Sequence, residues 1–198
     1  MPDHRRKQGR RHSLQLCLAL FTLAVVAGNQ GFLAFGDWLE SYKHQLKELF
    51  KVERLPSYST LRITLLELDY KDYSCRLASF FEITAIEGET LAVDGKVLRG
   101  SYLLSEDNPY CEPHKAITLV SAYLVERGLI LKPQEVKNKS NDRTTPLPQV
   151  LAIAKLAVGI ARNLAINLYR DAGFSNMAQA PRKCSYSLEH ILSLFRMK

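Results

Sequence analysis

Apolar positions in the first half of the chain fall into helical runs. Leu14 to Gly28 (LQLCLALFTLAVVAG) is apolar on every face, with Ser13 placed as an N-cap and Gly28 as a stop. The run predicts a fully buried helix or, with basic residues ahead of it, a secretory signal peptide. It is short for a membrane span, which needs about 20 residues. From Gly31 to Phe50 the pattern becomes amphipathic: Phe32, Phe35, Leu39, Tyr42, Leu46 and Leu49 recur at three and four, predicting one helix. Phe32, Phe35 and Trp38 read as core, and the apolar face needs Leu14–Ala27 as its partner. A Leu55-Pro56-Ser57-Tyr58-Ser59 turn leads into a helix over Thr60–Leu68, with Leu61, Leu65 and Leu68 on one face. Two helices around that turn are compatible with a helix-turn-helix reader of DNA, a pattern many bundles share. A further helix is expected within Asp69–Thr84, before Glu87-Gly88-Glu89 breaks the pattern.

Past that break the period changes. Leu91-Ala92-Val93 does not alternate and reads as a strand buried on both faces, leaving the core at Asp94-Gly95. Lys96, Arg99 and Gly100 follow, and Tyr102 to Pro113 is a polar loop. Ala116–Val125 and Gly128–Val136 form a hairpin around Glu126-Arg127-Gly128. After the polar Lys137–Arg143, Pro146 and Pro148 open a helix that reads continuously from Val150 to Tyr169 and ends at Ala172-Gly173. Ser185–Phe195 is a last helix, with Leu188, Ile191, Leu192 and Phe195 apolar. The class is α+β: a basic arm (1–13), a helical domain (14–86), a three-stranded β-containing region (87–150) and C-terminal helices (151–198).

Composition narrows the partners. The chain has 198 residues, 46% of them hydrophobic, enough for one domain or two small ones. A net charge of +7 and a pI near 9.3 favour an anionic partner, nucleic acid first and a membrane surface second. Arg5, Arg6, Lys7, Arg10 and Arg11 face only Asp3 in the arm, which could lie along a phosphate backbone or stay solvated. The four cysteines, Cys17, Cys75, Cys111 and Cys184, are dispersed without a C-x-x-C pair, so neither a zinc framework nor a disulfide scaffold is indicated. Cys111 and His114 are spaced like metal ligands but lack a second pair.

Asp94 is the candidate for chemistry. Asp-Gly is also a common hairpin turn. Yet strand, strand, strand, helix, with an acid at the end of the first strand, is how a ribonuclease-H-like fold begins. Enzymes of that fold hold two divalent metals between carboxylates for phosphoryl transfer. One carboxylate is too few for two ions.

Several segments in order resemble one family, the insertion-sequence DDE transposases of the H-repeat-associated type. Asp3-His4-Arg5-Arg6 through Gly9-Arg10-Arg11-His12 is similar to its opening motif. The apolar helix and the Leu55-to-Thr60 turn are similar to its N-terminal associated domain. Val93-Asp94-Gly95-Lys96 with Arg99-Gly100 resembles its first catalytic motif. Val120-Ser121-Ala122, Asn138-Lys139-Ser140-Asn141, Arg162-Asn163-Leu164-Ala165-Ile166-Asn167-Leu168 and the Gly-Phe-x-x-Met segment follow in family order.

The resemblance implies a truncated RNase H-like catalytic domain, with Asp94 catalytic and a ligand of Mg2+ or Mn2+. It implies transposon-end DNA as partner, bound by Arg5, Arg6, Lys7, Arg10, Arg11, Lys96 and Arg99. It also favours a buried first helix over a signal peptide, hence a cytoplasmic protein with no membrane partner. The departures bear on activity. Family members are longer and carry a second catalytic Asp and a Glu in a strand and helix missing here. From Thr144 to Arg170 there is no Asp or Glu. Asp142 reads as a helix cap and Asp171 follows the wrong motif, so only Asp94 carries over. An internal deletion near Val150–Ile160 accounts for this. The readings are then a catalytically incomplete transposase remnant, a non-catalytic DNA-binding module that self-associates or inhibits a full-length transposase, or a secreted or membrane-anchored protein.

Overall fold

A computed structural model of the chain describes residues 3, 5, 10–80, 88–97, 118–125, 129–130, 134–136 and 147–196. The expected turn at 126–128, the polar loops at 102–113 and 137–143, and the break at Glu87 lie outside these residues. The described part divides into two compact units. One combines Met1–Glu67 with Ala161–Lys198, and the other spans Leu68–Ile160.

The first unit is helical. Helix α1 (Leu14–Val26) starts where the Ser13 hydroxyl accepts the Leu16 N–H at 3.2 Å, satisfying an otherwise orphaned donor. It ends at Ala27, and Gly28 follows with φ of +86°. Ten of its thirteen residues are buried, as an all-round apolar sequence demands. Leu20, Phe21, Ala24 and Val26 are fully enclosed. Each large side chain among them contributes roughly 1.5–3 kcal/mol.

The amphipathic stretch is two helices rather than the single one its periodicity predicts. α2 (Phe32–Ser41) and α3 (Lys43–Phe50) meet at Tyr42, whose φ of −106° and ψ of 16° leave the helical basin. The apolar spacing persists through the break, so pattern alone does not reveal it. Phe35 is enclosed and meets Phe21 edge to face at 5.5 Å between centroids, confirming α1 as the partner of α2. Trp38 is buried and tilted against Tyr42. α4 (Tyr58–Leu66) is capped by Ser57 and buries Leu61, Thr64 and Leu65. It therefore begins and ends two residues earlier than the sequence pattern suggests.

In the second unit α5 (Tyr70–Ser79) precedes a sheet. β1 (Leu91–Val97) pairs antiparallel with β2 (Thr118–Leu124). The other edge of β2 is taken by β3 (Leu129–Ile130) and β4 (Gln134–Val136), so the expected hairpin pairing is present in the ladder. Helix α6 (Leu147–Asp171) then runs unbroken for 25 residues, through the segment where a deletion junction is expected, and supplies residues to both units.

α7 (Ala180–Ser185) and α8 (Leu188–Arg196) complete the first unit, α7 being an element the pattern does not announce. The Tyr169 hydroxyl donates to the Val26 carbonyl at the end of α1, and the Tyr42 hydroxyl donates to the Ser185 carbonyl at 2.8 Å. Among the described residues, no helix is long and apolar enough to cross a membrane.

Candidate functional site

Asp94 occupies the middle of β1, directly opposite Ser121 of β2. Lys96 is opposite Leu119, which on its other side faces Glu135 of β4. Opposed residues of antiparallel strands share a face, and so do residues two apart. Positions 94, 96, 119, 121 and 135 therefore fall on one face of the sheet. Glu135 is the second acid of that face, one that the sequence pattern does not single out. The signal that finds it is register. It stands on the far side of β2 from Asp94, two strand spacings or about 10 Å across.

A two-ion site needs carboxylates side by side, each within about 2 Å of a metal. Opposite Asp94 stands a serine, and the only other acid of the described strands is a strand-width beyond it. Among the described residues no group of three His, Cys, Asp or Glu side chains could hold a metal ion. Among the described residues, then, the donor set does not fit a two-ion centre.

The surroundings of Asp94 differ from the expectation of a strand buried on both faces. Ala92 is exposed and Val93 is 64% exposed. β1 pairs only with β2 among the described strands, so it lies at a sheet edge. An unbroken apolar run is suited to burial, but it does not supply the cover.

The basic segment around Asp3 is anchored at its described residues rather than free. The Arg5 side chain is 3% exposed. Its guanidinium donates to both Asp3 carboxylate oxygens, from Nε at 2.9 Å and Nη2 at 2.8 Å. Nη2 also donates to the His12 carbonyl at 2.9 Å, and Nη1 to the Thr64 hydroxyl of α4 at 3.3 Å. Arg5 thus pins the segment against α1 and α4, with its fork turned inward rather than toward a phosphate. Arg10 bridges the same turn, donating to the Arg5 and Asp3 carbonyls at 2.7 Å each, and stays about half exposed. Arg11 is exposed. Of the other residues expected to contact DNA, Lys96 is placed by its backbone on β1, while Arg6, Lys7 and Arg99 lie outside the described residues. So do Cys111, His114 and Asp142.

The Arg5 guanidinium hydrogen-bonded to Asp3 lowers that carboxyl from 3.8 to about 2. Burial pushes the Cys17 thiol up, and Cys184 up to about 11. Both are free and buried, so neither has the thiolate character or the exposure of a nucleophile.

Residues 1–81 match the family described as DDE_Tnp_1-associated. The chain is 26% identical over 175 residues to "Putative transposase YncI" of Escherichia coli K12, covering 86% of this chain and 67% of that one. It is 24% identical over 184 residues to "H repeat-associated putative transposase YhhI" of the same strain, covering 87% of this chain and 47% of that one. With "Putative transposase YncI" of E. coli O157:H7 it shares 27% identity, across 43% of that protein. The chain thus spans less than half the length of two of these three relatives. No solved structure gives a significant match. These similarities support a protein of the H-repeat-associated transposase type.

Proposed function

We propose that this chain is a transposase-derived DNA-binding protein that keeps the first carboxylate of a DDE site without its partners. The observation that carries this is that, among the described strands, no acid stands opposite or next to Asp94. Serine faces it across the ladder, and no acid occurs from Thr144 to Arg170, where the resemblance calls for further carboxylates. Exposure of Val93 and Val125 beside the strand edge agrees with an RNase H-like sheet that has lost covering elements. Groups that act as a unit lose most of their rate when one is removed. Strand transfer is therefore absent, while binding of transposon-end duplex through cations such as the exposed Arg11 and the strand residue Lys96 remains.

Two assays test this. The purified chain is incubated with duplex DNA and Mg2+ or Mn2+, and neither nicking nor joining is expected. Activity that disappears in Asp94→Ala overturns the proposal of an incomplete site. Duplex binding is titrated with salt, with Arg11→Gln as comparison. The slope of log affinity against log salt should fall by roughly one per lost phosphate contact. An unchanged slope removes Arg11 from the interface. Point substitution is preferable to deleting residues 1–12, because deletion also removes the Arg5 anchor.

A further inference from the structure

The second α-helical corner of the first unit holds a surface feature that the transposase reading does not use. Between α7 and the start of α8 lies an open cavity of about 560 Å³ lined by Lys183, Tyr186, Ser187, Glu189, His190 and Ser193. Its mouth is wide, which suits a segment of a polymer better than an enclosed small molecule.

The lining is ordered from below by one aromatic ring. Phe174 packs edge to face on Tyr169 at 6.1 Å, and Tyr169 is tied to α1 through the Val26 carbonyl. On that ring rest Lys183, its Nζ 5.8 Å from the centroid, and His190, edge to face at 6.2 Å. A cation and an imidazole are thereby held on one wall. The Ser187 hydroxyl accepts the His190 N–H at 3.4 Å, and the Ser193 hydroxyl donates to the His190 carbonyl at 2.7 Å, fixing the first turns of α8. Tyr186 stands beside this wall with 83% of its surface in water. A tyrosine ring left that bare gains nothing from the fold. It offers a flat π-face next to fixed hydrogen-bond donors.

We propose that this corner binds an unpaired nucleotide of single-stranded DNA, with the base stacked on Tyr186 and the adjoining phosphate on Lys183 and His190. Stacking on an exposed aromatic beside a cation is the chemistry by which single strands are held without sequence readout. Duplex bases are already stacked and do not present that face. Glu189 also lines the cavity, and its carboxylate repels phosphate. Neither Asp94 nor the basic segment near Arg10 takes part, so this proposal and the duplex-binding one fail separately.

The test is fluorescence anisotropy of the full chain with a labelled oligothymidylate of about 12 nucleotides, within the usual site size, alongside a duplex probe and inorganic phosphate as competitor. Tyr186→Ala should weaken single-strand binding roughly five- to hundredfold and Tyr186→Phe should not, in line with the cost of losing one stacked base. Lys183→Gln should reduce the salt slope by about 0.7. Glu189→Gln should tighten binding, and duplex affinity should be unchanged by all of these. Tyr186 is exposed, so unchanged Trp38 fluorescence confirms that the variants fold. Equal single-strand affinity in wild type and Tyr186→Ala overturns the proposal. So does equal loss of duplex and single-strand binding, or full displacement by phosphate at concentrations that leave the duplex bound.

Discussion

The Arg5 anchor makes the sharpest stability prediction. Its guanidinium is 3% exposed, while the Asp3 side chain keeps 23% of its surface. The two halves of the pair should therefore respond differently to truncation. Asp3→Ala leaves a buried cation with the His12 carbonyl, the Thr64 hydroxyl and the Cys17 sulfur as partners. An uncompensated buried charge costs about 3–5 kcal/mol, and water entering at the Asp3 side places this case near the lower figure. Arg5→Met removes the charge but keeps the volume. Asp3 can then hydrate, and Thr64 still donates to the Thr60 carbonyl at 2.9 Å. The loss is about 1–2 kcal/mol, chiefly for the His12 carbonyl. The double variant should resemble Arg5→Met and be more stable than Asp3→Ala alone. Urea unfolding followed by the single tryptophan, Trp38, reports on this unit. A pH series adds an independent check. Because the Asp3 carboxyl is depressed from 3.8 to about 2, its contribution is complete above about pH 4 and disappears as pH falls through about 2. The shift corresponds to at most about 2 kcal/mol, reduced by salt screening at the carboxylate's wet side. Asp3→Ala should lack that acid limb. Additive single and double effects, or an Asp3→Ala loss under about 0.5 kcal/mol, would refute a buried anchor.

Two further substitutions probe how the C-terminal helices join α1. Gly28→Ala should destabilise the first unit by about 1–3 kcal/mol, because the added Cβ would lie 2.7 Å from the Pro181 Cβ at a φ of +86°; an unchanged urea midpoint would show that α7 yields freely. Tyr169→Phe removes the hydroxyl that donates to the Val26 carbonyl, and a loss of about 1–2 kcal/mol is expected by thermal melting.

Caps and local patterns were legible because they act within a few residues. Ser13 presents its hydroxyl to an N–H three residues on, so α1 announces its start; Ser57 does the same for α4, whose start the apolar pattern put two residues later. The hairpin of β2 with β3 and β4 follows from adjacent apolar runs. The break at Tyr42 was not legible, since α2 and α3 share one apolar spacing across it. Nor was Glu135, which becomes a neighbour of the Asp94 face only through strand register. Arg5 misleads most: in a run of basic residues it reads as solvated, and only its proximity to Asp3 and α4 makes burial of a charge tolerable.

By itself the sequence determined the helical first half, the Asp-bearing strand, the hairpin, the family resemblance and the scarcity of carboxylates. Each depends on composition or on contacts close along the chain. Tertiary structure alone decided which basic residue is an anchor, and that Ala161–Lys198 joins Met1–Glu67 in one unit. Among the described strands it also left β1 at an edge, and it laid Lys183 over the Phe174 ring. Those outcomes depend on groups distant in sequence meeting in space, and on which apolar surfaces find cover, neither of which local periodicity encodes.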